Sequence, residues 1–106
     1  MNGSIEDVMK NPINAAIIMT LYNLSKEERV NSPYGIHYPR YSVPVISEGI
    51  KDYTDDEIQT RLLKLTKNEM GSVVIGPIPF GEHTDKFKLS EDTINFIEES
   101  KIVIKL

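Results

Sequence analysis

The sequence predicts an α+β fold, mainly helical, with a β-hairpin in the C-terminal half of the chain. Three observations predict it. From Ile13 to Leu24 apolar residues recur at helical spacing. A second amphipathic run starts at Thr54-Asp55-Asp56-Glu57, a T-x-x-E capping box in which hydroxyl and carboxylate each satisfy an orphan backbone amide of the first turn. Beyond it, Val73 to Phe80 and Lys86 to Leu89 read as two strands on either side of the turn Gly81-Glu82-His83-Thr84-Asp85.

Each element has a local cause. Ser4 is placed to cap a first helical turn carrying Ile5, Val8 and Met9, and Asn11-Pro12 restarts the helix with a capping side chain and a proline in its first turn. The next helix is apolar on two sides. Ile13, Ala16, Ile17, Thr20, Leu21 and Leu24 form one face, while Ala15, Ile18, Met19 and Tyr22 make the opposite face apolar as well. In a domain this small only one face is expected to meet the core, so the second face either packs beneath the tyrosine-bearing stretch that follows or meets another copy of the chain, with Ala15, Ile18, Met19 and Tyr22 as the homodimer interface. After the charged exit SKEER, the stretch NSPYGIHYPRYSVP from Asn31 to Pro44 is expected to be a loop, and Ser42 to cap a short helix with Pro44 in its first turn.

The capping box then opens a helix expected over about residues 55–69. Ile58, Leu62 and Leu65 fall on its buried stripe, and Thr60, Arg61, Lys64, Lys67 and Asn68 on the opposing arc at 3.6 residues per turn. Gly71 ends it. In the hairpin that follows, Phe87 and Leu89 face inward and Lys86 and Lys88 outward, while Pro77 and Pro79 suit an edge strand. Ser90 caps a last helix with Ile94 and Ile97 on its buried side, and Ile102 to Leu106 reads as a short terminal strand.

Composition bounds the function. The 106 residues form one domain, 1–106, with 40% hydrophobic and 26% charged residues, near globular averages. No apolar run approaches a membrane span, and the acidic start MNGSIEDVMK has no signal-peptide core, so a cytoplasmic protein without a membrane partner is expected. With no cysteine and two isolated histidines, neither a metal nor another cofactor is expected. No Ser/His/Asp arrangement or paired-carboxylate cleft can be assembled. The spacing Gly76-x-x-x-x-Gly81 lacks the Lys-Ser/Thr of a phosphate loop, so an enzyme is not expected.

The order helix, short helix, third helix, hairpin and closing helix resembles the winged helix-turn-helix transcriptional regulators of archaea and their viruses. The likeness runs from about Pro12 to Lys101 and is closest in DDEIQTRLLKLTKNEMGSVVI followed by KFKLSEDTINFIEES, where Thr93 stands at a position many members fill with glycine. The resemblance implies a sequence-specific regulator that binds double-stranded DNA, with the helix over 55–69 in the major groove and a wing over about 73–89. It implies DNA contacts from Thr60, Arg61, Lys64, Lys67 and Asn68, with Arg61 and Asn68 suited to base edges and the lysines to phosphates. Lys86 and Lys88 would add contacts from the wing.

Alternatives stay open at the level of sequence. The loop tyrosines Tyr34, Tyr38 and Tyr41 either lay their rings over the first long helix or, with His37, Tyr38 and Arg40, meet nucleic acid. The cationic arc also suits a solvated helix face. His83 reads as a polar turn residue. A net charge of −4 fits the alternative function, a winged-helix protein–protein interaction module that leaves DNA alone.

Overall fold

An Asn-Pro pair divides the first two helices. In α1 (Gly3–Met9) and α2 (Pro12–Glu28), the break is closed by the Asn11 side chain, which accepts from the Ile13 amide at 3.1 Å, with Pro12 at the helix start. The Asn14 side chain then donates to the Val8 carbonyl at 3.0 Å, tying the end of α1 to α2. Ser4 does not precede α1 as expected, because the helix already begins at Gly3. The computed structural model describes residues 3–33, 35–37, 39–66, 73–76 and 86–100.

The two-sided apolarity of α2 has a different outcome from the one expected. Ile17, Ile18 and Leu21 have no solvent exposure at all. α2 packs against α1, and also against α3 (Val43–Glu48), α4 (Asp55–Leu65) and the strand Lys86–Leu89. Neighbours on several sides use both faces within one protomer. Ile18 therefore belongs to the core and is not available to a second copy.

Asn31 to Pro44 is not an irregular loop. β1 (Val30–Ser32) and β2 (Gly35–His37) pair as an antiparallel ribbon, with Val30 opposite His37 and Ser32 opposite Gly35. Gly35 has φ of 120°, which an L side chain rarely adopts, so glycine is needed where the ribbon reverses. Tyr34 and Tyr38 lie outside the described residues. β3 (Tyr41–Ser42) then leads straight into α3. Ser42 occupies the N-cap with Pro44 in the first turn, but its hydroxyl makes no capping bond.

The start of α4 is the one expected: Thr54 Oγ1 accepts from the Glu57 amide at 3.2 Å, and Glu57 Oε1 accepts from the Thr54 amide at 3.0 Å. The end differs. The helix stops at Leu65, short of residue 69, and Thr66 caps it, its amide bonding to the Leu62 carbonyl and its hydroxyl donating to the Leu63 carbonyl at 2.7 Å. Lys67, Asn68 and Gly71 lie outside the described residues. Ile58, Leu62 and Leu65 are buried as the periodicity requires.

β4 (Val74–Ile75) and β5 (Lys86–Leu89) complete a three-stranded antiparallel sheet in the order β3-β5-β4. Tyr41 sits opposite Phe87 and Val74 opposite Leu89. Phe87 and Leu89 are buried, and Lys86 and Lys88 alternate to the other face, half-exposed. Pro77, Pro79, His83 and the segment from Ile102 to Leu106 lie outside the described residues. α5 (Glu91–Ser100) is joined to the sheet by the Val73 carbonyl, which accepts from the Ser90 amide and from the wholly buried Thr93 hydroxyl, both at 3.0 Å. Ser90 Oγ in turn accepts from the Thr93 amide, the expected cap.

The aromatic of β3 is a core residue. Tyr41 is 6% exposed, and its hydroxyl lies 3.0 Å from the Leu24 carbonyl oxygen and 3.3 Å from Glu28 Oε2, donating into the end of α2. Burial first, and then the neighbouring Glu28 carboxylate, hold its hydroxyl well above the usual tyrosine range. In sum the fold is mainly helical with a small antiparallel sheet. Its order of α2, β3, α3, α4, β4 and β5 is compatible with a winged-helix-like architecture extended by α1, the β1–β2 ribbon and α5.

Two measurements follow from this packing. In urea titrations, Thr54→Ala is expected to lower stability by about 1 kcal/mol through loss of the cap, and Leu62→Ala by about 3 kcal/mol through loss of buried volume. For Tyr41 the folded state holds its proton more tightly than the unfolded state. The stability it contributes is therefore complete below the unfolded value near 10 and declines as pH rises past it. Urea midpoints from pH 8 to 12 should fall more steeply above about pH 10 for the wild-type protein than for Tyr41→Phe.

Candidate functional site

The outer face of α4 carries exposed polar side chains, and its position follows from the inner face. With Ile58, Leu62 and Leu65 buried, Gln59, Thr60 and Lys64 are exposed and Arg61 is half-buried along one edge. Leu63 interrupts this polar surface at 42% exposure. Gln59 and Leu63 are four apart and Thr60 and Leu63 three apart, so they are neighbours on the helix surface.

Charge along α4 is polarised. Asp55, Asp56 and Glu57 occupy the first turn, where they favour the helix dipole, and Lys64 occupies the last. Glu57 is engaged by its cap. Among the described residues the ion pair with a contact within 4.0 Å is Lys10 with Asp7 at 3.2 Å. Arg61, Lys64, Lys86 and Lys88 therefore have no carboxylate within that distance among the described residues.

The sheet brings one further cation, Arg40, near the end of α4. Arg40, just before β3, donates from Nη1 to the Gly76 carbonyl at 2.7 Å. Gly76 follows β4 and also faces α4: a Cβ built on it would lie 3.1 Å from Thr66 Cγ2. Arg40, the end of β4 and the end of α4 thus meet at one glycine, where a side chain would press on the Thr66 methyl and one of the two would have to give by a few tenths of an ångström. The expected role of Arg40 was to reach phosphate. Here at least one of the five guanidinium donors braces the sheet, and the side chain is half-buried.

Lys88 borders a surface groove of about 310 Å³ lined by Ile75, Leu89, Ser90, Glu91 and Asp92. The two carboxylates at the start of α5 offset its charge locally, which sets it apart from Lys64. His37 lies on β2, opposite Val30. Tyr38, Lys67 and Asn68 lie outside the described residues. Of the residues expected to face a second copy, Ala15, Met19 and Tyr22 are partly exposed. Tyr22 leans on its own protomer, its hydroxyl donating to Glu98 Oε2 of α5 at 3.4 Å.

Gln59 and Leu63 were not among the residues expected at the site. Helical spacing alone places Gln59 and Thr60 beside Leu63, but a lone leucine in a helix reads by default as core. Among the described residues no group of acidic or histidine side chains is arranged to hold a metal ion, and no helix is long and apolar enough to cross a membrane. Comparison of the chain with protein-family models, curated proteins and solved structures gave no match.

The Arg40 contact can be tested. Arg40→Ala should lower stability by about 1.5 kcal/mol, the contribution of a hydrogen bond from a charged donor, and should speed hydrogen exchange at the amides of β4 and β5 more than at those of α2.

Proposed function

We propose that this chain is a winged helix-turn-helix protein that binds double-stranded DNA as a sequence-specific transcriptional regulator. In this reading α3 and α4 are the helix-turn-helix, α4 enters the major groove, and β4 and β5 belong to the wing. The observation that carries it is the outward C-terminal half of α4, where Arg61 and Lys64 lack carboxylate partners among the described residues. That half adjoins the end of β4 through Thr66 and Gly76. The sheet order, with β5 between β3 and β4, supports the architecture.

The acidic first turn constrains the pose. Asp55 and Asp56 are exposed and repel phosphate, so α4 docks by its middle and C-terminal half. Arg61 is placed to reach a base edge or a phosphate, Lys64 a phosphate, and Lys86 and Lys88 the backbone beside the groove. A homodimer, if it forms through α2, uses Ala15, Met19 and Tyr22 without Ile18.

One observation favours the second reading, a winged-helix module for a protein partner. Val45 of α3 and Leu63 of α4 are 40% and 42% exposed on a chain of net charge −4. A mobility-shift titration on random duplex DNA across a salt series separates the two. DNA binding predicts an affinity that falls steeply with salt, a slope reduced by about 1 in Lys64→Ala, and tighter binding when Asp55 and Asp56 both become asparagine. Absence of any shift at low salt excludes the DNA reading and leaves the protein module.

A further inference from the structure

Resting on the DNA reading above, we infer that α4 selects adenine–thymine base pairs, with Leu63 packing on the thymine C5-methyl group and Gln59 pairing with the adjacent adenine. The outer face of α4 carries one large aliphatic side chain, Leu63, at 42% exposure, beside the exposed Gln59 and Thr60. Its placement is fixed. Leu63 lies in the last turn of α4, which the Thr66 hydroxyl closes by donating to the Leu63 carbonyl at 2.7 Å, and burial of Ile58, Leu62 and Leu65 turns Leu63 to the outer face.

The major groove offers one apolar group on base edges, the thymine methyl. An aliphatic side chain there gains contact opposite thymine and gains none opposite cytosine. Gln59, one helical turn before Leu63, carries the donor and acceptor that match adenine N6 and N7. The charges fit the same occupant. Lys64, next to Leu63 in the half of the helix remote from Asp55 and Asp56, stands at the edge of the face that carries Gln59 and Leu63, where phosphate is attracted, while Arg61 lies on the far side of the helix. A hydrophobic peptide would also cover Leu63, but Lys64 beside it has no carboxylate partner among the described residues and complements a polyanion.

The test uses the full chain and three short duplexes: alternating adenine–thymine, the same duplex with deoxyuridine for every thymidine, and alternating guanine–cytosine. Deoxyuridine removes the methyl group and keeps the Watson–Crick edge. The wild-type protein should bind the thymine duplex about fourfold more tightly than the uracil duplex, the ratio that burial of one methyl group supplies, and Leu63→Ala should bring that ratio to one. Gln59→Ala should reduce the preference for adenine–thymine over guanine–cytosine by about tenfold. Both side chains are exposed, so circular dichroism and urea midpoints of the variants should match the wild type.

Equal wild-type binding to the thymine and uracil duplexes would overturn the inference and leave DNA binding standing. So would a thymine preference that persists unchanged in Leu63→Ala, because the methyl would then be sensed elsewhere or through duplex shape. Failure to bind any of the three duplexes at low salt would overturn the DNA reading and this inference with it.

Discussion

The complete burial of Ile17, Ile18 and Leu21 on α2 is the constraint from which the other placements follow. Each such side chain contributes roughly 1.5–3 kcal/mol when removed from water, but their positional effect is larger than that sum suggests. α1 is tied to α2 by Asn14, α3 closes on it where Gly49 approaches Thr20, β3 reaches it through the Tyr41 hydroxyl, and α5 meets it at Tyr22. α4 packs its inner stripe against the same helix. Since Ile58, Leu62 and Leu65 are held there, the side on which Leu63 and Lys64 emerge is not adjustable.

The charges of α4 serve two purposes that pull in different directions. Carboxylates at the N-terminus and a lysine at the C-terminus both favour the helix dipole, and the capping box adds to the same end. For the isolated helix the arrangement is favourable throughout. Toward a polyanion it divides the helix into a repelling and an attracting half, so the features that fix where α4 begins also restrict how it can approach a duplex.

The legible parts of the sequence were those whose cause is local. The capping box, the stripe of Ile58, Leu62 and Leu65, the alternation of Phe87 and Leu89 with lysines, and the Ser90 cap each depend on residues within one turn or one strand. The β1–β2 ribbon and β3 were not legible, because strands this short have too few residues for alternation to register, and their pairing partners are distant or separated only by a turn. Ile18 was misassigned for a related reason: a helix covered on several sides and a helix with a free second face have the same pattern, and only its neighbours distinguish them. At the candidate site, Lys64 is exposed and Arg61 half-buried beside the inner stripe. The Arg40 contact with Gly76 joins residues far apart in sequence, and the exposure of Leu63 depends on what fails to cover it; neither leaves a trace in a linear pattern.

The middle strand of the sheet, β5, is the last of its strands along the chain. Among the described strands, β3 and β4 meet their pairing partner only once Phe87 and Leu89 have left the ribosome, so α2, α3 and α4 emerge before this sheet can close. Assembly therefore waits for one late event that joins distant segments, and the chain should fold more slowly than its helix content alone would suggest.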